Sequence, residues 1–268
     1  MSAITNRIRK ETKDFILMLN SLKPFIFILV VIAIRDIAAY KPDINLFLWG
    51  SKVFLTTIVF SFLYIKYLKP SNFTFNITGK TIVISILCFL SIEALHILQN
   101  LLGLYETPRN QELIESKRLS DQDHIMFYFI DSVIVAPIFE EFIFRGFLYA
   151  IVLYVYREIA FFLNNSKNKD ILFSIMNIIF VIGSTYLFAS THITDSFKQL
   201  IPFLLIGLLL AIVYLITKNL LSTILIHMFN NLFAFFQVSL THTTIIVTMM
   251  LICTLLYMTM MNKVKTKN

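Results

Sequence analysis

Charge is scarce in this sequence. Of its 268 residues only 15% are Asp, Glu, Lys or Arg, while 57% are hydrophobic. A soluble domain of this length needs more polar surface to stay dissolved, so a soluble globular fold is excluded. Glycine and proline are also few, six of each, which excludes collagen-like and low-complexity architectures. Cysteine is nearly absent. Cys88 and Cys253 lie far apart within apolar runs, so neither a disulfide framework nor a cysteine metal knuckle is present. No repeat is visible along the chain.

What remains is a series of hydrophobic runs long enough to cross a bilayer. Eight candidate spans are bounded by polar or Pro/Gly punctuation: 24–40, 46–67, 81–102, 125–162, 171–191, 199–217, 219–240 and 242–261. The expected fold is therefore all-α, a polytopic integral membrane protein forming one domain over 1–268. The fourth run is too long for one straight crossing of a hydrocarbon core about 30 Å thick. It must tilt, kink near Pro137, or project into water near Tyr156. Gly103–His124 reads as a solvated connector, helical around 110–118. Lys218–Asn219 leaves almost no loop, which predicts a tight helical hairpin. Ile4, Ile8, Phe15 and Leu19 among the basic residues of the N-terminus predict a surface helix over 4–20.

The formal net charge of +7 does not indicate nucleic acid, because the Lys and Arg residues cluster in the tails and loops between spans. They read as a topology signal and an attraction to anionic lipid. With eight spans, both tails share a side with Lys66, Lys69, Lys167, Lys169 and Lys218, while the other side holds Lys41, Arg109, Lys117, Arg118 and Lys198. The basic excess predicts a multi-pass protein of the cell membrane with both termini in the cytoplasm.

Ionisable groups inside the apolar runs need a reason, since each costs roughly 2.5–3.5 kcal/mol at the centre of a membrane helix. They concentrate in three places. In Pro137-Ile-Phe-Glu140-Glu141-Phe-Ile-Phe-Arg145-Gly146, Glu141 and Arg145 stand at i and i+4, in reach of each other. Glu140 points about 100° away on an ideal helix. The pair reads as a structural clamp and Glu140 as the group left for chemistry. In Phe188-Ala-Ser-Thr-His192, phenylalanine and histidine share a face, though a lone histidine at a membrane boundary is as often a headgroup partner. In His227-Met-Phe-Asn230-Asn231, His227 and Asn231 share a face and can donate to an oxyanion. They can equally serve as hydrogen-bonding glue between helices. Glu93 and His96, at i and i+3, read as satisfying each other, and Asp131 has no evident local partner.

The ordered set Glu140-Glu141-x-x-x-Arg145, Phe188-x-x-x-His192 and His227-x-x-x-Asn231 resembles the CPBP family of intramembrane proteases. Within that family the chain looks most like an archaeal type II CAAX prenyl protease, of the Ras-converting enzyme group. The resemblance covers about 130–235, within a motif-bearing core of about 125–240. It implies helices enclosing an intramembrane catalytic cavity and no cofactor. In the roles it implies, Glu140 activates water, His192 assists, and His227 and Asn231 stabilise the oxyanion, with Glu141, Arg145 and Phe188 supporting. It also implies a lipidated substrate, a prenylated protein or peptide cleaved near its C-terminus. Three alternatives stay open. One is a zinc metalloprotease with Glu140, His192 and His227 as ligands, although no H-E-x-x-H helix is present. The others are a transporter or ion-binding protein and a non-catalytic scaffold. Straight spans of the stated bounds would also set His192 and His227 at different depths, by more than roughly 10 Å at 1.5 Å per residue.

Overall fold

The computed structural model describes residues 46–70, 72–121, 124–163 and 165–236. The expected spans 24–40 and 242–261, and the surface helix over 4–20, lie outside the described residues. The described fold is all-helical, and its only β-type pairing is an isolated bridge between Thr74 and Asn219. In chain order the helices are α1 (Leu46–Leu63), α2 (Gly79–Leu101), α3 (Arg109–Ser120), α4 (Ile125–Ile130), α5 (Ala136–Glu141), α6 (Leu148–Phe161), α7 (Ser166–Ser190), α8 (Phe197–Thr217) and α9 (Leu220–Phe236). Among the described residues, Phe47–Lys66, Gly79–Leu101, Ser166–Ser190 and Phe197–Thr217 are long and apolar enough to cross a membrane, and α9 is a shorter apolar helix.

The long run 125–162 is one helical path broken by two π-helical segments, Asp131–Val135 and Phe142–Phe147. Pro137 explains the first. It has no N–H, and its ring clashes with the carbonyl four residues earlier. The wider π turn, in which Ala136 N donates to Asp131 O, relieves that conflict without ending the helix. The expected kink at Pro137 thus takes the form of a change in helical pitch. The second segment leaves the Phe144 carbonyl open to a side chain, and Ser184 Oγ donates to it at 2.9 Å.

The chain divides into two compact units. In its described part the first comprises 46–70 and 146–177, and the second 72–145 and 178–236; α7 runs across the division. In the first unit, Tyr156 and Phe173 meet edge to face at 5.2 Å, and Tyr149 Oη donates to Asn177 Oδ1 at 3.1 Å. These contacts join α6 to the start of α7.

The second unit carries all three motifs. Its core is Ile92, Phe144, Phe188, Ile206, Leu210, Val213 and Ile226, all buried. Ile178, Ile182 and Tyr186 stay exposed along one face of α7. A stripe of that kind on a helix of spanning length faces hydrocarbon at no cost. Polar side chains fasten the helices to one another, as expected where hydrophobic burial supplies no drive. Ser85 Oγ donates to Ser222 O, joining α2 to α9. The α8–α9 connection is as tight as its sequence requires. Lys218 takes the left-handed conformation at φ 53° and closes α8 through Tyr214 O. Asn219 then accepts from Leu221 N and donates to Asn76 O at 2.7 Å and to Thr81 Oγ1. That asparagine anchors the hairpin to the N-terminal end of α2.

Gly207 sets the approach of α8 to α7. A Cβ there would stand 3.1 Å from the Phe188 ring and 3.2 Å from the Thr185 carbonyl oxygen. Neither rigid backbone nor a packed ring gives way easily. We expect Gly207→Val to destabilise the protein by about 1–3 kcal/mol, read as a lower thermal midpoint in detergent. A variant that melts like the parent would show that the two helices are free to separate.

Candidate active site

The site is built on three helices and one turn of the second unit. Glu141 and Arg145 meet as their spacing predicts, with Arg145 Nη1 donating to Glu141 Oε1 at 2.7 Å and both side chains fully buried. Arg145 Nη2 donates to the Gly207 carbonyl at 3.0 Å. The guanidinium lies 4.7 Å from the centre of the Phe188 ring, where the π face favours a cation. His227, from α9, completes this group, because its Nδ1–H donates to Glu141 Oε1 at 3.1 Å. Glu141 Oε1 therefore accepts from two cationic or polar donors at once. The clamp read from the sequence as two residues has a third member.

That bond decides how His227 is used. With Nδ1 committed to Glu141, the free ring nitrogen is Nε2, which lies 3.8 Å from Glu140 Oε2. Glu140 is 14% exposed at its side chain, and its buried Oε2 has no hydrogen-bond partner among the described residues. One carboxylate is thus consumed by the clamp and the adjacent one is left available, as the rotation between neighbouring helix positions requires.

His192 lies past the end of α7, in the turn before α8. Its Nδ1–H donates to the Phe188 carbonyl at 3.0 Å, and its ring stacks on Phe203 at 4.0 Å and 20°. These contacts fix the ring plane and leave Nε2 as an acceptor. Burial holds the pKa of His192 below the ordinary histidine value, against the opposing pull of the Glu140 carboxylate. The neutral imidazole therefore prevails near pH 7. The depth mismatch expected between His192 and His227 does not occur, since both rings touch Phe188, at 4.9 and 5.4 Å between centroids. Phe188 is the common wall of the two motifs. The straight-helix expectation fails because α7 ends at Ser190 and His192 follows in a non-helical turn.

Asn231 is held from two sides. Its Nδ2 donates to Ser132 O at 2.9 Å, and its Oδ1 accepts from Asn230 Nδ2 at 3.2 Å. One N–H of the amide is left over. Asn231, Asn230, Ser132 and His192 line a cavity of about 480 Å³, whereas Glu140 and His227 are not among its lining residues. Among the described residues, no three His, Cys, Asp or Glu side chains group as metal ligands.

Residues 122–233 match the family model described as type II CAAX prenyl endopeptidase, Rce1-like. This segment is similar to that family. No curated protein and no solved structure matched the chain. The Rce1-like segment contains all three motifs and every contact of the clamp. The residues that fasten the turn carrying His192 reach beyond it. Gln199, buried at the start of α8, accepts from Asp195 N and Arg109 N through Oε1 and donates to Glu106 through Nε2. Glu106 also accepts from Ser196 Oγ at 2.8 Å, and Arg109 pairs with Asp195. This knot ties the turn carrying His192 to the connector before α3.

Sequence reading missed Gln199, Phe203, Gly207 and Ser132. A glutamine opening an apolar span was a visible signal. A phenylalanine within one was not, and Gly207 and Ser132 act through main-chain carbonyls that any residue supplies. We expect Arg145→Ala and Glu141→Ala to cost about 3–5 kcal/mol each, because the surviving charge stays buried and unpaired. Yield and thermal midpoint should fall together with any activity. If either variant melts like the parent and is merely inactive, the clamp is not structural.

Proposed function

We propose that this chain is an intramembrane endopeptidase that hydrolyses a peptide bond of a lipidated substrate with water activated by Glu140. The Rce1-like match supports a CAAX-protease-like endopeptidase, and the apolar helices support a membrane setting. The observation that carries the catalytic assignment is that Arg145 and His227 both hydrogen-bond Glu141, while Glu140 accepts no hydrogen bond at Oε2 and stands 3.8 Å from His227 Nε2. A carboxylate with no fixed partner is free to take a proton from water, and Glu141 is not.

In this reading Glu140 removes a proton from water as the oxygen attacks the scissile carbonyl carbon. His192, with its Nε2 lone pair free, accepts a hydrogen bond from the same water and orients it. The tetrahedral oxyanion takes the spare N–H of Asn231. With Nδ1 bonded to Glu141, any donation from His227 falls to Nε2. Collapse of the intermediate expels the amine, which receives the proton first removed from water. The substrate class is a prenylated protein or peptide, cleaved near its C-terminus. The protein is placed in the cell membrane with both termini cytoplasmic, on the asymmetry of its basic residues.

The test is cleavage of prenylated and unprenylated C-terminal peptides by the purified protein, read by mass spectrometry with and without a chelator. Glu140→Ala should abolish turnover while the protein keeps its thermal midpoint, and normal turnover by that variant would defeat the assignment. His192→Ala and Asn231→Ala should each lower kcat by about 10²–10³-fold. Loss of activity in chelator, restored by zinc, would instead favour Glu140, His192 and His227 as metal ligands.

A further inference from the structure

The cavity has a second polar wall, contributed by residues outside the three motifs. Glu93 and His96 line it from α2, Glu115 from α3 and Tyr105 from the connector between them, all within the second unit. Glu93 is 7% exposed and has no hydrogen bond among the described residues. His96 Nδ1 lies 3.9 Å away, beyond hydrogen-bonding distance. His96 Nε2 is also buried without a partner. The pair stands within ion-pair range, as its spacing allowed, but makes no hydrogen bond.

Glu141 shows what a buried acid in this fold ordinarily has, namely an arginine at 2.7 Å. Among the described residues Glu93 has no such partner, and neither Lys nor Arg lines the cavity. A carboxylate held in a low-dielectric wall without a counter-charge is costly, and the cost is recovered when a cation enters. Glu115 adds a second carboxylate to the same lining, and Tyr105 and Phe203 supply π faces of the kind that attract ammonium and guanidinium groups. The same lining repels a free carboxylate.

We propose that this wall is a specificity subsite that takes a cationic side chain, lysine or arginine, of the peptide substrate, with Glu93 as its counter-charge. The proposal rests on the peptidase reading for the identity of the ligand as a peptide, but its test does not depend on turnover. The probes are fluorescent S-farnesylated peptides identical except at one position, which carries lysine, norleucine or glutamate, moved stepwise along the peptide. Binding to the full chain in detergent is read by fluorescence anisotropy, and cleavage of the same peptides is followed separately by mass spectrometry.

At one register the parent should bind the lysine peptide about tenfold more tightly than the norleucine peptide, with glutamate weakest. Glu93→Gln should bring the lysine-to-norleucine ratio to about one while leaving norleucine affinity unchanged, and Glu115→Gln should reduce the ratio less. Equal binding of all three peptides by the parent at every register overturns the proposal, as does a lysine preference that survives in a folded Glu93→Gln. If Glu93→Gln does not fold, the order of the three peptides on the parent and the effect of Glu115→Gln decide the matter. A lysine preference without cleavage would remove the peptidase reading and leave the subsite standing; cleavage without the preference would do the reverse.

Discussion

The rest of the site depends on a buried ion pair. Glu141 and Arg145 are fully enclosed, and desolvating two full charges is expensive enough that the pair needs further hydrogen bonds to support it. That requirement reaches outward in three directions. The Gly207 carbonyl must come within hydrogen-bonding distance of Arg145, which draws α8 close to α7 and demands a residue without a side chain. The Phe188 ring must cover the guanidinium, which fixes the end of α7. His227 must share the Glu141 oxygen, which sets the rotation of α9. The helices bearing the three motifs are thus positioned by one electrostatic constraint; of the candidate catalytic groups His227 belongs to it, and Glu140, His192 and Asn231 surround it.

Phe188 shows how a single side chain can serve structure and chemistry together. One face of its surroundings is the guanidinium, while its edges meet His192 and His227, and its carbonyl fixes the His192 tautomer. Phe203 stacks on the same imidazole from α8. Two aromatic rings and one main-chain oxygen therefore hold a histidine that stands on a turn and has no helix to orient it. The Gln199 knot limits the movement of that turn further, by bonding main-chain N–H groups that would otherwise be unsatisfied.

The parts legible in the sequence were those governed by local periodicity or by solvation. The apolar runs near 81–102, 171–191 and 199–217 correspond to α2, α7 and α8 with ends shifted by a few residues. Helix 109–120 falls where the connector was expected to be helical. The hairpin at Lys218–Asn219 followed from the absence of any loop. The Glu141–Arg145 contact was legible because i,i+4 proximity is a property of one helix. The approach of Glu93 to His96 was legible by the same rule, but i,i+3 spacing does not choose rotamers, and the pair meets at 3.9 Å without a hydrogen bond.

By itself the sequence determined that this chain lives in lipid, that its helices carry ionisable groups in three ordered motifs, and that one acid of the Glu140-Glu141 pair is matched by an arginine. These follow from composition, run length and spacing along a single helix. Tertiary structure alone decided that His227 reaches Glu141, that His192 and His227 share the ring of Phe188, that Asn231 is oriented by Ser132, and that Glu93 lines the cavity with no Lys or Arg in that lining among the described residues. Each of those contacts joins residues on different helices or in a turn, or depends on a rotamer chosen by packing. Their distances are set by how the helices pack, and no pattern of residues along one chain segment encodes that.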